Sequence, residues 1–396
     1  MSRRQRTKRI ERIVAVLAIV SLVVAWFVGL ALNRTDVTPL LSEALPAAEE
    51  FEPLGDEMYA AYNGHEPIGY VALGEAEGYG GPISVAVAVN LEGQVLGTSV
   101  VEHRETPSFF RRVVNDEFME AFTEKAYDEP FRLGQDLDGV TGATYTARAL
   151  AEATSQGAQK VAGQQLGMAV PEPEPPPIQF GVPELTVLAL FGAAYVGHRR
   201  GFKYTKQVRW ATLIIGLVVL GFWLNMPLSL SKINSFLLGY WPGWRTGLYW
   251  YLLLGGVFLV VVADNKNAYC SWFCPFGAAQ ECMGAIGGAK TAGPPRKYRL
   301  YFKWAQRGLA WLAIMLAFLF RNPGISSYEV FGTLFDFTGS GVLFALLAIM
   351  LVASLFVRRP WCNYLCPLDP IYEIIRLVRG WVLELWQKRR TKTATS

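Results

Sequence analysis

The chain has 396 residues, a formal net charge of +4 and a hydrophobic content of 52%. This length is enough for two or three units of ordinary size, and the long uncharged runs in it exclude a single soluble domain. The Lys and Arg residues alternate with these runs instead of forming one patch, which argues against a nucleic-acid-binding protein.

The apolar runs predict an α-helical polytopic membrane domain with about six spans. A bilayer core of about 30 Å needs about 20 residues of helix, and the uncharged run 13–32 meets this length. We interpret this run as a retained anchor, because its apolar stretch exceeds the roughly 7–15 residues of a cleaved signal peptide. The five further predicted spans are residues 180–197, 210–224, 248–263, 308–320 and 339–357.

The distribution of Lys and Arg predicts the orientation of these spans. The loops 198–209 and 264–307 are basic, as are both termini, whereas the loops 225–247 and 321–340 contain two and one Lys or Arg residues. By the positive-inside rule, both termini and the basic loops lie in the cytoplasm. The segment 33–179 and the two poorly charged loops then lie outside.

The outer segment is predicted to form an α+β domain. Apolar residues that alternate with small or polar ones predict a strand over 83–89 and a return strand over 94–101, joined by a turn at Glu92–Gly93. Helical spacing predicts a short helix over 116–126 and a longer helix over about 145–165. We expect His103, in this domain, to be a surface residue, and His198 to belong to a basic cytoplasmic loop.

These elements divide the chain into six parts. The proline-rich run that begins at Pro171 predicts a stiff, extended spacer between the outer domain and the remaining spans. The predicted parts are a cytoplasmic N-terminus (1–12), a transmembrane anchor (13–32), an extracytoplasmic domain (36–170), a linker (171–179), a five-span membrane domain (180–357) and a cytoplasmic tail (358–396).

Four of the five cysteines form two Cys-x3-Cys-Pro motifs, Cys270/Cys274 and Cys362/Cys366. Each motif follows a predicted span, in a repeated order of span, loop, span and motif. The same spacing closes the bacterial ferredoxin run, and four thiolates are the number that one [2Fe–2S] or [4Fe–4S] cluster needs. The cytoplasm keeps thiols reduced, which disfavours disulfides. Structural zinc and inert packed thiols are the alternatives, and Cys282 is expected to be a buried free thiol.

The second motif is Asp138-Gly-Val-Thr141-Gly142-Ala143-Thr144. Thr144 stands at the predicted start of the long helix, where free N–H groups and the positive end of the helix dipole favour an anion such as phosphate. From the residues alone, the motif is a possible phosphate site or a threonine that caps the helix.

This motif resembles the flavinylation motif of the FMN-binding domains in Rnf and Na+-translocating quinone reductase complexes. In that family a dedicated flavin transferase joins FMN to the last threonine through a phosphoester, so the resemblance implies covalent FMN on Thr144. The run from His103 to Pro107 is similar to the family's Glu-Thr-Pro segment, although Ser108-Phe109-Phe110 replaces its usual glycine-rich continuation. The resemblance implies a cofactor-binding set of Thr144, Thr141, Gly142, Ala143, Asp138, Glu105 and Thr106. Contact with the isoalloxazine is the alternative to a surface position for His103, which lies beside this segment.

The whole arrangement resembles the NosR/NirI family, whose members serve nitrous oxide or nitrite reductase systems. The resemblance implies a multi-pass protein of the bacterial inner membrane, with a periplasmic FMN-binding domain and cytoplasmic Cys motifs. It implies electron transfer between a cytoplasmic donor, such as a ferredoxin-like protein or the quinone pool, and an extracytoplasmic reductase or acceptor. Known members often continue into a ferredoxin-like domain, whereas this sequence stops after a basic tail, so any further clusters are expected from a partner.

Two other functions remain open at this stage. One is a redox-sensing regulator or maturation factor without steady electron flux, and the other is a structural zinc protein with a ligand-binding outer domain. The electron-transfer hypothesis, in which the chain is an oxidoreductase component, also leaves a gap. The hydrocarbon is about 30 Å thick, and the sequence offers no ligands for a carrier at mid-depth.

Overall fold

The first helix, α1 (Arg3–Leu32), leads into a domain built on a β-sheet, and a helical domain follows the proline-rich segment. The structure is a computed structural model. It describes residues 3–33, 37–105, 110–111, 113–114, 118–140, 144–171, 176–199, 201–290, 298–326 and 328–393. We call the described residues of 37–171 the sheet domain and those of 176–393 the helical domain.

The sheet domain is an antiparallel meander of five strands with a helix on each face. The strands lie in sequence order and are β1 (Glu50–Gly55), β2 (Met58–Asn63), β3 (Glu66–Glu77), β4 (Pro82–Val89) and β5 (Val95–His103). The helices are α2 (Thr38–Ala44) and α3 (Thr144–Gln164). On β4, Val85 and Val87 face α3, while Ala86 and Ala88 belong to the buried apolar cluster between the other face of the sheet and α2. A Cβ at Gly74 would lie 1.9 Å from the Ala153 carbonyl oxygen, so β3 and α3 need glycine for their close approach.

The prediction of the strand pair and the long helix is confirmed. The strand predicted over 83–89 is β4, its return strand is β5, and α3 starts within one residue of the predicted position. The short helix predicted over 116–126 is wrong in its described part, which has only a 3-10 turn at Glu120–Phe122. Residues 124–127 instead bond to the start of β5, where the Val95 amide donates to the Lys125 carbonyl at 2.9 Å.

The helical domain contains ten α-helices in its described part. They are α4 (Val182–Gly197), α5 (Thr205–Ile215), α6 (Leu230–Leu238), α7 (Leu248–Asp264), α8 (Pro275–Gly287), α9 (Arg299–Leu319), α10 (Phe331–Phe335), α11 (Gly341–Phe356), α12 (Pro360–Tyr364) and α13 (Leu368–Thr393). Helix α5 continues as π-helical turns over Gly216–Trp223. Helix α1 lies along α9, and the Asn33 side chain donates to the Leu319 carbonyl at 2.7 Å.

Each of the six predicted spans overlaps a helical segment, but the count of about six spans is not confirmed. In the described part of the chain, two helices are long and apolar enough to cross a bilayer, Arg9–Leu32 and Thr205–Trp223. The apolar helices α4, α7 and α11 are shorter, with 16, 17 and 16 residues.

The core of the helical domain surrounds the second cysteine of each motif. Cys274 and Cys366 belong to one buried cluster together with the fully buried rings of Tyr269 and Trp361. The loops 225–247 and 321–340, which are predicted to lie outside the membrane, both contribute residues to this core. The Leu228 amide donates to the Tyr269 hydroxyl at 2.8 Å, and the Phe331 ring lies 5.2 Å from the Phe276 ring. The two loops therefore fold back into the helical domain instead of remaining at its edge.

Candidate cofactor sites

The two Cys motifs share one backbone construction. In each, the first Cys lies in a short helical turn, Tyr269–Phe273 or α12, and the second Cys stands directly before a Pro and the next helix. The amide of Cys274 donates to the Tyr269 carbonyl at 2.8 Å, and the amide of Cys366 donates to the Trp361 carbonyl at 2.9 Å. Both acceptors are the residue that precedes the first Cys. The repeat seen in the sequence is therefore also a repeat in backbone structure.

All four motif cysteines line one cavity of about 60 Å³. The rest of its wall includes Phe276, Phe331, Trp361, Arg359 and Asp369. Cys282 is half-buried rather than buried, and it lies outside this wall. Within the part of the chain that the structure describes, no group of three His, Cys, Asp or Glu side chains is placed to hold a metal ion.

Each motif is held by residues of the other. From α8, which follows the first motif, Gln280 accepts the Trp361 amide at 2.9 Å and donates through Nε2 to Cys362 Sγ at 3.4 Å. From just before the second motif, Arg359 donates through Nη1 to the Cys270 carbonyl at 2.6 Å. The Gln280 side chain is fully buried, so its bonds are screened little by water. The two pairs of thiols are thus fixed relative to one another.

Beside the cavity lies a charged cluster in which arginines outnumber the acid, and Arg359 belongs to both the cluster and the cavity wall. Glu281, only 3% exposed, pairs with three guanidinium groups, at 2.5 Å from Arg209, 3.3 Å from Arg358 and 2.8 Å from Arg359. Burial, with the charge of Cys362, raises the pKa of Cys274 to about 11. A thiolate at this position therefore needs a cation, which a metal and the surplus guanidinium groups would supply. Four thiols around one cavity, two of them buried, with aromatic walls and the nearby guanidinium groups, fit an iron–sulfur cluster.

His198 has a structural contact that sequence reasoning missed. Its Nε2 accepts the indole N–H of Trp272 at 3.2 Å, and its Nδ1 lies 2.8 Å from the Ala194 carbonyl oxygen. A neutral ring with its proton on Nδ1 satisfies both contacts. Because Trp272 stands between Cys270 and Cys274, His198 supports the first motif and is not simply a basic loop residue. A histidine that opens a basic loop gives no sequence signal of this contact.

The predicted flavin site lies at the beginning of α3. Thr144 is the first residue of that helix and is exposed, and Asp138 is exposed as well. Thr141, Gly142, Ala143 and Thr106 lie outside the described residues. Glu105 is 1% exposed and accepts the Gly80 amide through Oε1 at 3.2 Å. Burial raises the pKa of Glu105, despite hydrogen bonds from the Gly80 amide and the Thr146 hydroxyl.

Two buried polar atoms near this motif have no partner among the described residues, Glu105 Oε2 and His103 Nδ1. His103 is half-buried and stacks on Phe110 with ring centroids 3.6 Å apart, so the expectation of a plain surface histidine is wrong. Unpartnered buried polar atoms are costly unless a ligand or water satisfies them. Together with the exposed helix N-terminus at Thr144, they fit a site for a phosphate-bearing cofactor.

The sheet domain contacts the helical domain through the loop between β3 and β4. Lys232 on α6 donates through Nζ to the Tyr79 carbonyl at 3.1 Å, and Ser235 donates through Oγ to the Gly80 carbonyl at 2.7 Å. The Tyr79 ring lies 6.2 Å from that of Tyr145, the residue after Thr144. Sequence reasoning missed this junction. Its one signal is a lysine in a loop otherwise poor in charge.

Comparison with known proteins matches both parts of the chain. The family model of the FMN-binding domain matches residues 78–159, and that of the 4Fe–4S binding domain matches residues 246–292 and 338–388. Each of the two 4Fe–4S segments therefore contains one Cys motif, and the FMN-binding segment contains Glu105 and Thr144.

Three relatives match different parts of the chain. A component of the proton-translocating ferredoxin:NAD(+) oxidoreductase complex of Clostridium ljungdahlii is 33% identical over 110 residues, 26% of this chain and 60% of the relative. Protein NirI of Paracoccus denitrificans is 32% identical over 179 residues, 41% of this chain and 26% of the relative. Regulatory protein NosR of Pseudomonas aeruginosa is 27% identical over 211 residues, 48% of this chain and 28% of the relative. The chain thus spans less than two thirds of each of them.

Proposed function

We propose that this chain, a NosR/NirI-like flavin and iron–sulfur protein of electron transport, moves electrons between a cytoplasmic donor and an extracytoplasmic acceptor across a membrane. One observation carries the proposal: the four cysteines of two distant motifs line a single cavity. The acceptor would be nitrous oxide reductase or another periplasmic reductase, and the donor a ferredoxin-like protein or the quinone pool. A flavin transferase would load the FMN.

The cluster would be one [4Fe–4S] centre held by Cys270, Cys274, Cys362 and Cys366. Two thiols per motif are too few for a cluster, whereas the shared cavity provides four. When bound, the cluster supplies one-electron transfer, and the protein supplies placement and tuning. The guanidinium of Arg359 offsets thiolate charge, and the apolar walls exclude water. The match to a 4Fe–4S binding domain supports this cofactor over structural zinc.

The flavin would be FMN, joined through its phosphate to the hydroxyl of Thr144. Thr144 is exposed at a helix N-terminus, where N–H groups and the helix dipole favour a phosphoester. Asp138, Thr141, Gly142 and Ala143 would form the approach to this helix. Glu105 and Thr106 would line the other side. Glu105 Oε2, which has no partner among the residues that the structure describes, would accept a hydrogen bond from the cofactor or its water.

Membrane insertion is supported by the two helices of sufficient length and by the distribution of charge. In this proposal the basic termini and loops face the cytoplasm, and the sheet domain faces the periplasm of a bacterial inner membrane. The shorter apolar helices α4, α7 and α11, together with the apolar half of α9, would complete the six spans at a local thickness below the average bilayer.

The position of α6 bears on the distance between the two cofactors. Leu228, two residues before this helix, contacts Tyr269 beside the first Cys motif, and Lys232 and Ser235 on the helix contact the sheet domain. A helix of nine residues is about 13 Å long. The two predicted cofactor sites would therefore be joined by one short buried segment, rather than lying a full bilayer thickness of about 30 Å apart.

A regulatory role is a second candidate, because one relative is named a regulatory protein. An electron-transfer protein passes electrons in repeated turnovers, whereas a regulator does not. Anaerobically purified protein would first be characterised by visible and EPR spectra before and after dithionite, with iron and FMN quantified. Oriented vesicles supplied with a reduced donor on the cytoplasmic face should then reduce the flavin repeatedly when an outer acceptor is present. A single turnover without flux would favour the regulator, and protein without iron or without flavin would overturn the proposal.

A further inference from the structure

Lys232 is a buried cation at the junction of the two domains. It is 7% exposed, and among the described residues no carboxylate forms a salt bridge with it. Its Nζ donates to the Tyr79 carbonyl at 3.1 Å and lies 5.6 Å from the centroid of the Tyr79 ring. The Trp250 ring centroid is 4.9 Å away. A charge held in this way costs desolvation energy, which carbonyl and cation–π contacts offset only in part.

The groups around Lys232 connect it to the predicted flavin site. Tyr79 lies on the loop after β3, and its ring is 6.2 Å from that of Tyr145, which follows Thr144. The next residue of that loop, Gly80, donates to Glu105. The carboxyls of Glu105 and Glu77 act on the ammonium from the sheet domain. On the helical side, the buried Glu329 accepts the amide of Leu230, on the same helix as Lys232, at 2.7 Å.

We propose that Lys232 is a positioning residue by which the helical domain supplies positive charge to the flavin site, so that contact between the two domains raises the reduction potential of the FMN. This inference rests on the proposed function, since it requires FMN at Thr144. Reduction adds electrons to the site, and its net charge becomes more negative unless protons accompany them. A buried ammonium stabilises that extra charge, because interactions between charges are stronger where water is excluded.

Ser235 provides a matched control for a purely structural role. It binds the same loop from the same helix through a neutral hydrogen bond, to Gly80 at 2.7 Å. If α6 only holds the loop in place, removal of either contact should have a similar effect. If the charge matters, only Lys232→Met should change the potential, and Lys232→Arg should preserve it.

The test uses the full chain co-expressed with a flavin transferase. In-gel fluorescence first establishes covalent FMN, and an anaerobic redox titration at pH 7 then gives the flavin midpoint potential. Lys232→Met should shift this potential to more negative values, while Lys232→Arg and Ser235→Ala stay near the wild type. An unchanged potential in Lys232→Met, or an equal shift in Ser235→Ala, overturns the inference and leaves the proposed function intact. Wild-type protein without fluorescent flavin overturns the proposed function, and the inference with it.

A second measurement keeps the test decisive if Lys232→Met fails to fold. Burial lowers the pKa of Lys232 to about 8, although Glu105 and Glu77 oppose this. The wild type should therefore lose its positive charge above that pH, whereas an arginine keeps it. The wild-type potential should fall below that of Lys232→Arg as the pH rises from 7 to 10. Parallel pH profiles for the two proteins would overturn the inference.

Discussion

Arg359, just before the second Cys motif, donates a hydrogen bond to the carbonyl of Cys270 in the first, at 2.6 Å, across 89 positions of sequence. Arg359 adopts a left-handed backbone conformation, φ 52°, directly before Pro360. Such a conformation is unfavourable for a side chain with a Cβ and persists where the surroundings impose it. The link between the motifs is therefore built into the backbone of the second one, and the cysteines are expected to act as one unit.

The first prediction is that Cys270→Ser and Cys366→Ser each remove nearly all of the iron and the cluster absorbance. A cluster needs all four thiolates, and neither motif alone provides enough. Iron per flavin, measured after anaerobic purification, decides the matter. Cys282→Ser, outside the cavity wall, is the control and should keep the wild-type iron content. Retention of half the iron in both motif variants would show two independent sites and refute the shared one.

The second prediction concerns Gln280, which bonds to the second motif from α8. Gln280→Leu leaves the buried Trp361 amide without its acceptor and removes the donor to Cys362. A buried unpaired group costs about 1–3 kcal/mol, so the thermal midpoint should fall and the cluster should be lost faster in air. Gln207→Leu, at an exposed position of α5, is the control and should change neither the rate of cluster loss in air nor the thermal midpoint. Equal cluster lifetimes in the two variants would show that Gln280 does not support the site.

The third prediction is that Thr144→Val abolishes covalent flavin, read as in-gel fluorescence and as an FMN mass adduct. The structure sharpens the choice between neighbouring threonines. Thr144 is exposed, whereas Thr146 is 1% exposed and its hydroxyl bonds to Glu105, so only the former is accessible to a transferase. Thr146→Val, the control, should keep the adduct. Loss of flavin from Thr146→Val alone would assign the attachment to that residue.

The sequence predicted α3 and β4 well because each presents one strong pattern. On β4 large and small residues alternate, with Val85 and Val87 toward α3 and Ala86 and Ala88 toward α2. Strands β1 to β3 were not predicted. At β3 the sheet is covered on both faces, so neighbours such as Val71 and Ala72 are both buried and the polar alternation that marks a half-exposed strand is missing, whereas β1 is mostly exposed and has no apolar face to reveal it.

The shared cysteine cavity could be predicted from chemistry, because two pairs of thiols make one complete ligand set. The contacts that fix it could not. Gln280 reaches Trp361 across 81 positions, and Lys232 reaches Tyr79 across 153. Such pairs depend on how helices pack in three dimensions, and neither residue belongs to a local motif. The inward course of the loops that contain Leu228 and Phe331 was missed for the same reason.

The fourth prediction is the topology. In a background without native cysteines, Glu92→Cys, on the exposed turn before β5, should react with a membrane-impermeant thiol reagent from the periplasmic side only. Lys203→Cys, exposed in the loop before α5, is the matched position and should react only after the membrane is opened. Labelling of Glu92→Cys from the cytoplasmic side alone would reverse the orientation, and transfer to a periplasmic acceptor would then be excluded.

The last prediction concerns acid stability of the sheet domain. Lys125, with its side chain 13% exposed, lies 2.8 Å from Glu129 and 3.0 Å from Asp136. The hydrogen bond from Lys125 lowers the pKa of Glu129. Burial alone would raise the pKa of Asp136, but the hydrogen bonds from Lys125 and the Arg132 amide outweigh it, and the net shift is downward.

Acids whose pKa is lower in the folded state stabilise it above their unfolded pKa values, and they lose this effect as the pH falls through the folded ones. Lys125→Met should therefore lower the thermal midpoint most at neutral pH, and the difference from wild type should shrink below about pH 4. Melts followed by flavin fluorescence report on this domain. The control is Lys160→Met. Lys160 is a half-buried lysine of α3 that forms no ion pair with Glu129 or Asp136, so its substitution should show no such pH profile. If Lys125→Met lowers the thermal midpoint by the same amount at pH 7 and pH 3, then packing, and not the ion pairs, explains the role of Lys125.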